Sequence, residues 1–465
     1  MILQALNDYY QRVMESGDSD IAPPGWVRKP VDFIVVLDPS GRPVSLQCRQ
    51  IIEKGKRKPG KAELLPNIGK QALKHTNSGV DANLLWDNAA FALGFGKDGL
   101  KKLDSFITTI TFRFPEPNES IQALLRFLRA QHESQGTLDL VLTSQTDREA
   151  LASGAPVVTF SLSTDRGQLL CHREDIRQLY ETSASKESGG PRGVCLITGE
   201  NDVAITANET VIKRVWNAQS SGANIISFNK RAFESYGKTE RGGENSPISK
   251  AASFAYTTAL NHLLRENSRN RTQVGDASTV FWAEREDELE TAIPDLFGEP
   301  PKDNPDRHVD AVKALYRAID TGRLAGPDGT TRYYVLGLSP NAARIAVRFF
   351  HCLPLLELAG RIKQHFNDVQ IAHRESDPEQ LSLKRLLQGL CLATKTQPFG
   401  DIDRLPPNIG GAVVDAILAG PNAPYPHQLL NLAVVRCRAE QDVSYPRAAA
   451  IKACLNRSIR RHPQE

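Results

Sequence analysis

The sequence predicts an α+β protein, with a mixed α/β N-terminal body over residues 1–340 carrying a β-hairpin and a basic loop, followed by a mainly helical C-terminal part over residues 341–465. Three observations carry that reading. The β-branched runs Val31–Leu37 and Pro43–Cys48 flank Asp38-Pro-Ser-Gly41, the pattern of two strands around a turn. Behind the capping residue Asn118, the segment 119–131 places Ile121, Leu124, Leu125 and Leu128 on one helical face. After Asn341, helical stretches separated by short loops with Gly and Pro take over. A chain of 465 residues, 40% hydrophobic and 24% charged, is long enough for two or three cores at roughly 100–200 residues per domain.

In chain order, residues 2–14 form an amphipathic helix with Ile2, Leu3, Leu6, Tyr10 and Val13 on one side, ended by Gly17. The hairpin follows, and then a basic arm, residues 49–75. Between Gly41 and His75, nine cations (Arg42, Arg49, Lys54, Lys56, Arg57, Lys58, Lys61, Lys70 and Lys74) face only Glu53 and Glu63. That local field is hidden by the whole-chain charge of +3. Pro59-Gly60 disfavours a regular element, so the arm is expected as a mobile cationic tip on an ordered hairpin, either neutralising phosphates or simply solvated. Residues 83–93 make a short element with Trp86 and Phe91 in the core. Gly94-Phe-Gly-Lys-Asp-Gly99 spells G-x-G-x-x-G but has no βαβ unit around it, so it carries no dinucleotide reading.

Residues 105–114, 138–143, 157–162 and 194–198 read as strands, with 181–192 as a loop. Ser246 as N-cap and Pro247 as first residue open a helix with the stripe Ile248, Ala252, Ala255, Ala259 and Leu263, expected to buttress the segment before it. Residues 280–283 and 333–338 are strands, and the charged, proline-rich stretches 284–290 and 298–305 between them read as surface linker. The C-terminal helices are expected over 342–366 with a kink at Pro354, then 381–393, 411–418, 426–439 and 446–460. The last carries Arg447, Lys452, Arg457, Arg460 and Arg461, giving a basic exposed side.

Several function classes lack their sequence signatures. The seven cysteines are scattered, with no Cys-x-x-Cys pair, which argues against a disulfide framework and a zinc site. No run reaches the ~18 apolar residues of a membrane span and no leader pattern opens the chain, so a cytoplasmic location is expected. No Walker loop, His-x-x-x-His pair or Gly-x-Ser-x-Gly elbow occurs, and no catalytic residue, metal ligand or cofactor is assigned.

The most informative stretch is the central loop, residues 216–247. Gln219, Ser220, Ser221, Asn224, Ser227, Asn229, Lys230, Arg231, Ser235, Tyr236 and Lys238 surround a short apolar strand, Ala223–Phe228. Amides and hydroxyls suit base edges, and cations suit phosphate. Gln219, Ser220, Asn224 and Asn229 are therefore the base-reading candidates. The phosphate candidates are Lys54, Lys56, Arg57, Lys58, Lys61, Lys70, Lys74, Lys230, Arg231 and Lys238. Tyr236 or Phe233 would stack or wedge against a base, with a core aromatic as the competing reading.

Several blocks in fixed order resemble one family. They are Leu84-Leu-Trp-Asp-Asn88, Gly193-Val-Cys-Leu-Ile-Thr-Gly-Glu200, Asn217-Ala-Gln-Ser-Ser-Gly-Ala223, Ser227-Phe-Asn229, Ala232-Phe-Glu-Ser-Tyr-Gly-Lys238, Ala255-Tyr-Thr-Thr-Ala-Leu-Asn261, Val280-Phe-Trp-Ala283 and Leu336-Gly-Leu-Ser-Pro-Asn341. Together they resemble the large subunit of the type I-C CRISPR surveillance complex, Cascade. The resemblance implies a non-catalytic subunit that recognises the protospacer-adjacent motif in duplex DNA, lies at the 5′ handle of the guide RNA, supports R-loop formation and recruits the nuclease-helicase. Its implied partners are guide CRISPR RNA, double-stranded target DNA, the other Cascade backbone subunits and the CRISPR nuclease-helicase. The family's further C-terminal helical bundle is expected to be missing here. Two rivals stand beside this reading: a metal-dependent nuclease using Asp81, Asp87 and Glu234, and a purely structural scaffold.

Overall fold

The computed structural model describes residues 1–17, 20–53, 56–67, 81–134, 136–165, 167–178, 191–206, 209–227, 235–238, 244–274, 277–298, 307–342, 344–393, 400–406 and 408–462. The chain forms two compact units, one of Gly17–Thr210 with Phe228–Phe254 and one of Met1–Ser16, Val211–Ser227 and Ala255–Glu465. Both mix helix and strand, as an α+β class requires.

The unit containing Gly17–Thr210 is built on strands β1 (Trp26–Pro30), β2 (Phe33–Leu37), β3 (Pro43–Cys48), β4 (Ile51–Glu53), β5 (Lys56–Lys58), β6 (Ala62–Pro66), β7 (Trp86–Asn88), β8 (Val157–Leu162), β9 (Arg192–Gly193) and β10 (Val203–Ala204). Its main sheet runs β3-β2-β8-β7, with β2 and β8 parallel and the outer pairs antiparallel. Every residue of β2 is buried, because it is a central strand covered on both faces. The expected hairpin therefore forms. Its turn is closed by the Asp38 carboxylate, which accepts from Ser40 Oγ at 2.6 Å and Arg42 N at 2.9 Å. Gly41 sits at φ +87°, where a Cβ would lie 2.4 Å from Ala123 O, so only glycine lets this turn meet the helix Glu119–Glu133. Phe33, Phe91, Phe106, Phe127 and Phe160 fill the core, with Phe160 centred 6.1 Å from both Phe106 and Phe127.

Three expected strands of this unit take other forms. Residues 105–113 belong to the helix Gly99–Arg113, with Phe114 as its C-cap. Their Thr and Ile content suggests a strand, yet Leu103, Phe106 and Ile110 recur at helical spacing and are wholly buried while Phe112 is 82% exposed. Burial period overrides β-propensity here. Residues 138–143 contain the end of a 3-10 turn, Thr137–Leu140, burying Leu138 and Leu142. Residues 194–198 form a tight turn closed by Cys195 N to Glu200 O at 2.9 Å. Inside it, the buried Cys195 thiol accepts from Ser249 N at 3.3 Å. Burial alone would raise this thiol, but hydrogen bonds from Ser249 and Thr198 outweigh it and hold the pKa at about 7.

In the other unit, β11 (Arg271–Val274), β12 (Ala277–Ala283), β13 (Arg332–Asn341) and β14 (Arg344–Pro354) form an antiparallel sheet in sequence order. Phe281, Tyr333, Val335 and Phe349 face a core shared with the helices Leu289–Phe297, Arg307–Asp320, Leu355–Val369, Leu383–Gln388, Ile409–Ala419, His427–Glu440 and Tyr445–Arg461. The N-terminal helix Ile2–Glu15 is held by Arg12, which donates to both Glu290 oxygens at 2.5 and 3.2 Å.

Here too the sequence expectation needs correction. Residues 344–354 are a strand, and Pro354 marks the junction with the following helix instead of a kink. The strand bulges at Gly337/Leu338 of its neighbour, and Gly337 is required because the Phe349 ring lies 2.4 Å from where its Cβ would be. The stretch 284–290 is not free linker, since Glu290 is 6% exposed and opens a buried helix, while Asp287 pairs with Arg323 at 3.3 Å. The last helix has no uniformly basic outer side, because Arg447 and Arg457 are 4% and 1% exposed. Arg457 pairs with the buried Asp368 at 3.2 Å and donates to Ala416 O at 2.6 Å and Ala423 O at 2.8 Å.

Helix Lys250–Leu263 begins later than expected. Pro247 O and Ile248 O accept from Leu196 N and Thr206 N in extended backbone, and Ser249 Oγ takes the capping role by accepting Ala252 N at 3.1 Å. The stripe Ile248, Ala252, Ala255, Ala259 and Leu263 is buried throughout. All seven cysteines are free. Among the described residues no helix is long and apolar enough to cross a membrane.

Candidate nucleic-acid interface

Within the basic arm, Ile51–Glu53 and Lys56–Lys58 form a short two-stranded hairpin, while the expected mobile tip at residues 54–55 lies outside the described residues. Its strands β4 and β5 pair antiparallel, Ile51 with Lys58 and Ile52 with Arg57. Its root is locked by the buried Asp32, whose two oxygens accept from Gly60 N at 3.4 Å and Val157 N at 2.8 Å. Gly60 has no substitute, since a Cβ would sit 2.0 Å from Val31 O. Pro59-Gly60 thus ends the arm and joins it to the body.

The cations on this arm are not equivalent. Arg57 donates to Asp147 at 2.8 Å and to Gln50 Oε1 at 2.8 Å, and the bond to Asp147 raises its pKa. It braces the arm. Lys58 lies 2.5 Å from Glu53, but both side chains are more than half exposed, so this pair is readily exchanged for another anion. Lys61 is exposed, and Lys56 lies in β5. Lys54, Lys70 and Lys74 lie outside the described residues. Sequence reading missed that Ile51 and Ile52, 59% and 73% exposed, stand among these cations. Two adjacent isoleucines in a charged run are the signal that would have found them.

Part of the central loop belongs to the unit of the second sheet. Residues Val211–Ala223 fold back on themselves, with Ile212 and Ala223 exchanging both backbone hydrogen bonds at 2.9 Å. Asn261 brackets the near side, accepting Lys213 N at 2.9 Å and donating to Val211 O at 3.1 Å. Asn261 of the central helix thus holds Val211 and Lys213, just ahead of the Gln219–Lys238 segment that the helix was expected to buttress. The expected strand Ala223–Phe228 reduces to single bridges from Ala223 to Ile212 and from Asn224 to Arg344, and Phe228 lies outside the described residues.

Among the base-reading candidates, Gln219 donates one amide N–H to Gly222 O at 2.9 Å, which leaves a second N–H and the side-chain oxygen. Ser220 is exposed and Asn224 half-buried. Gly222 holds φ +94° with Ile212 O 2.9 Å from a would-be Cβ, so the loop's closure depends on it. Asn229, Lys230 and Arg231 lie outside the described residues.

Lys238 and Tyr236 lie on a tight turn, Ser235–Lys238, in the other unit. Tyr236 (φ 52°) and Gly237 (φ 72°) occupy its two central positions, the geometry of a two-residue hairpin loop. Tyr236 is 99% exposed at its tip and so is no core aromatic, whereas Phe233 lies outside the described residues. A tyrosine there has no packing reason to be aromatic.

Two of the three acids of the nuclease rival lie among the described residues. Asp87 is 2% exposed and accepts from Asn83 N at 2.8 Å and Asn88 N at 2.7 Å, so it shapes its own turn. Asp81 is exposed, and Glu234 lies outside the described residues. Among the described residues no group of three or more His, Cys, Asp or Glu is placed to hold a metal.

Residues 6–465 match the family described as CRISPR-associated protein (Cas_Csd1), and the chain belongs to that family. It is a CRISPR-associated Cascade subunit, in agreement with the type I-C large-subunit resemblance. No curated protein matches the chain.

Proposed function

We propose that this chain is the motif-reading, non-catalytic large subunit of its RNA-guided complex. In this reading it recognises the protospacer-adjacent motif in target duplex DNA, contacts the 5′ handle of the guide RNA, supports R-loop formation and recruits the nuclease-helicase. The observation that supports it best is the rooted arm. A hairpin fixed by Asp32, Gly60 and Arg57 carries the exposed Lys58, with the exposed Lys61 just past its root, and cations on a fixed backbone neutralise phosphate with less ordering cost than those on a free loop. Gln219, Ser220, Asn224 and Asn229 are the proposed base readers, because amides donate to minor-groove adenine N3 and thymine O2 and accept from the guanine amine. Lys230, Arg231 and Lys238 take phosphate, and Tyr236 stacks on or wedges beside a base.

The test is a pair of variant sets in the assembled complex. Asn224→Ala and Asn229→Ala should narrow the affinity gap between good and scrambled motifs. Changing Lys56, Lys58 and Lys61 together to Ala should weaken binding to both duplexes and flatten the salt slope by roughly two to three in log–log terms. Unchanged discrimination in both asparagine variants would remove the base-reading assignment.

A further inference from the structure

One group on the central loop has no part in the reading above. Lys213, Arg214 and Trp216 precede the amide-rich turn, and the backbone around them is unusual. Arg214 and Asn217 both hold left-handed conformations, φ 63° and 56°, which non-glycine residues adopt rarely and which cluster at ligand clamps. The surroundings enforce them. Asn261 fixes Lys213 N, the Ile212–Ala223 pair closes the loop, and Ser278 Oγ accepts Trp216 N at 2.8 Å.

Between these pins Val215 is buried at 4% exposure, while its neighbours Arg214 and Trp216 are exposed, the indole to 39%. Ser278, which holds Trp216 N, pairs across the sheet with Gln273 of β11, two positions along the strand from a third cation, Arg271. Arg271 of β11 donates to Leu264 O at 2.8 Å near the end of the central helix. Arg214 is near enough that its charge, after burial, lowers the proton affinity of both Lys213 and Arg271, with Glu266 offsetting part of the effect at Arg271. Like charges gathered around this loop, offset only in part by Glu266 at Arg271, favour the approach of an anion.

We propose that Lys213, Arg214, Arg271 and Trp216 form a subsite for one unpaired nucleotide, the base stacking on Trp216 and its phosphate lying among the three cations. A base within a duplex already has both faces stacked, so an indole platform selects single-stranded nucleic acid. This subsite rests on the nucleic-acid reading of the chain but is separate from motif recognition in duplex DNA.

The experiment uses the full chain, a fluorescein-labelled 12-nucleotide oligothymidine and a labelled hairpin duplex, with binding followed by anisotropy at two salt concentrations. Trp216→Ala should weaken oligothymidine binding about tenfold or more with the salt slope unchanged, and Trp216→Phe should keep most of the affinity. Arg214→Gln should reduce the single-strand salt slope by about one. Hairpin affinity should hold in all three variants. Unaltered oligothymidine binding by Trp216→Ala, while the natural chain binds both ligands, would overturn the subsite alone. Equal losses for oligothymidine and hairpin in Trp216→Ala and Trp216→Phe would also overturn it, indicating a packing role for the indole. If the natural chain bound neither ligand, the nucleic-acid reading and the subsite would fall together.

Discussion

Asp32 accepts from Gly60 N, Val157 N and, through its carbonyl, Arg49 N, so one buried residue ties the arm to the neighbouring strand. Removing its carboxylate leaves buried N–H groups without partners, at about 1–3 kcal/mol. Lys58 is different, since its exposed pair with Glu53 is worth at most about 1 kcal/mol. Asp32→Ala should therefore lower the thermal midpoint and weaken duplex binding together, whereas Lys58→Ala should weaken duplex binding with the midpoint nearly unmoved. Thermal melts beside binding isotherms separate the two, and a cold midpoint for Lys58→Ala would contradict the division. Residue type in the sequence showed which side chains were cationic. It did not show that Arg57 is committed to Asp147, 90 positions away, because such pairing is a product of the tertiary fold.

At the level of elements, the last helix, Tyr445–Arg461, shows the same limit more strongly. Its cations suggest a solvated basic face, yet Arg457 is an internal hub whose guanidinium lies over the Tyr425 ring at 4.0 Å. Asp368 receives both Arg457 and Arg460. The neighbouring His365 is buried against Tyr425 Oη at 2.6 Å, and burial, aided by the Arg457 charge, pushes its pKa down to about 3, so it stays neutral. Asp368→Ala would leave a buried guanidinium without its counter-charge, and we expect destabilisation of about 3–5 kcal/mol. Arg461→Ala, on the exposed end of the same helix, should change stability by less than about 0.5 kcal/mol. Denaturant titration of the two variants checks this, and similar midpoints would contradict the hub. The hairpin β2–β3, the core residues Trp86 and Phe91 and the last three helices were legible because their hydrophobic periods are clear, while the helix expected over 381–393 shortens to Leu383–Gln388. Residues 105–114 and 344–354 were not. The first hides a helical burial period under β-branched residues, and the second is a strand adjoining a helix with no turn residues between them except Pro354.

For the whole molecule, membership of the CRISPR-associated Csd1 family was legible in ordered blocks of sequence, and the structure accounts for several of them physically. Gly193–Glu200 encloses the hydrogen-bonded Cys195, Asn217–Ala223 closes on Gly222, and the Asn261 at the end of Ala255–Asn261 brackets that loop. What stayed hidden was which polar residues the fold itself engages, since the Asp87 carboxylate shapes its own turn and Arg57 pairs with Asp147, contacts that the sequence does not show. The central claim is that the chain confers motif-dependent recognition on its complex. The most direct measurement is the affinity of the guide-loaded complex, with and without this chain, for duplex targets bearing a good or a scrambled adjacent motif at two salt concentrations. Motif-dependent affinity that arises only when the chain is added is the expected result. An equal gain for both duplexes would contradict the claim and leave the chain a phosphate clamp, with the motif read elsewhere.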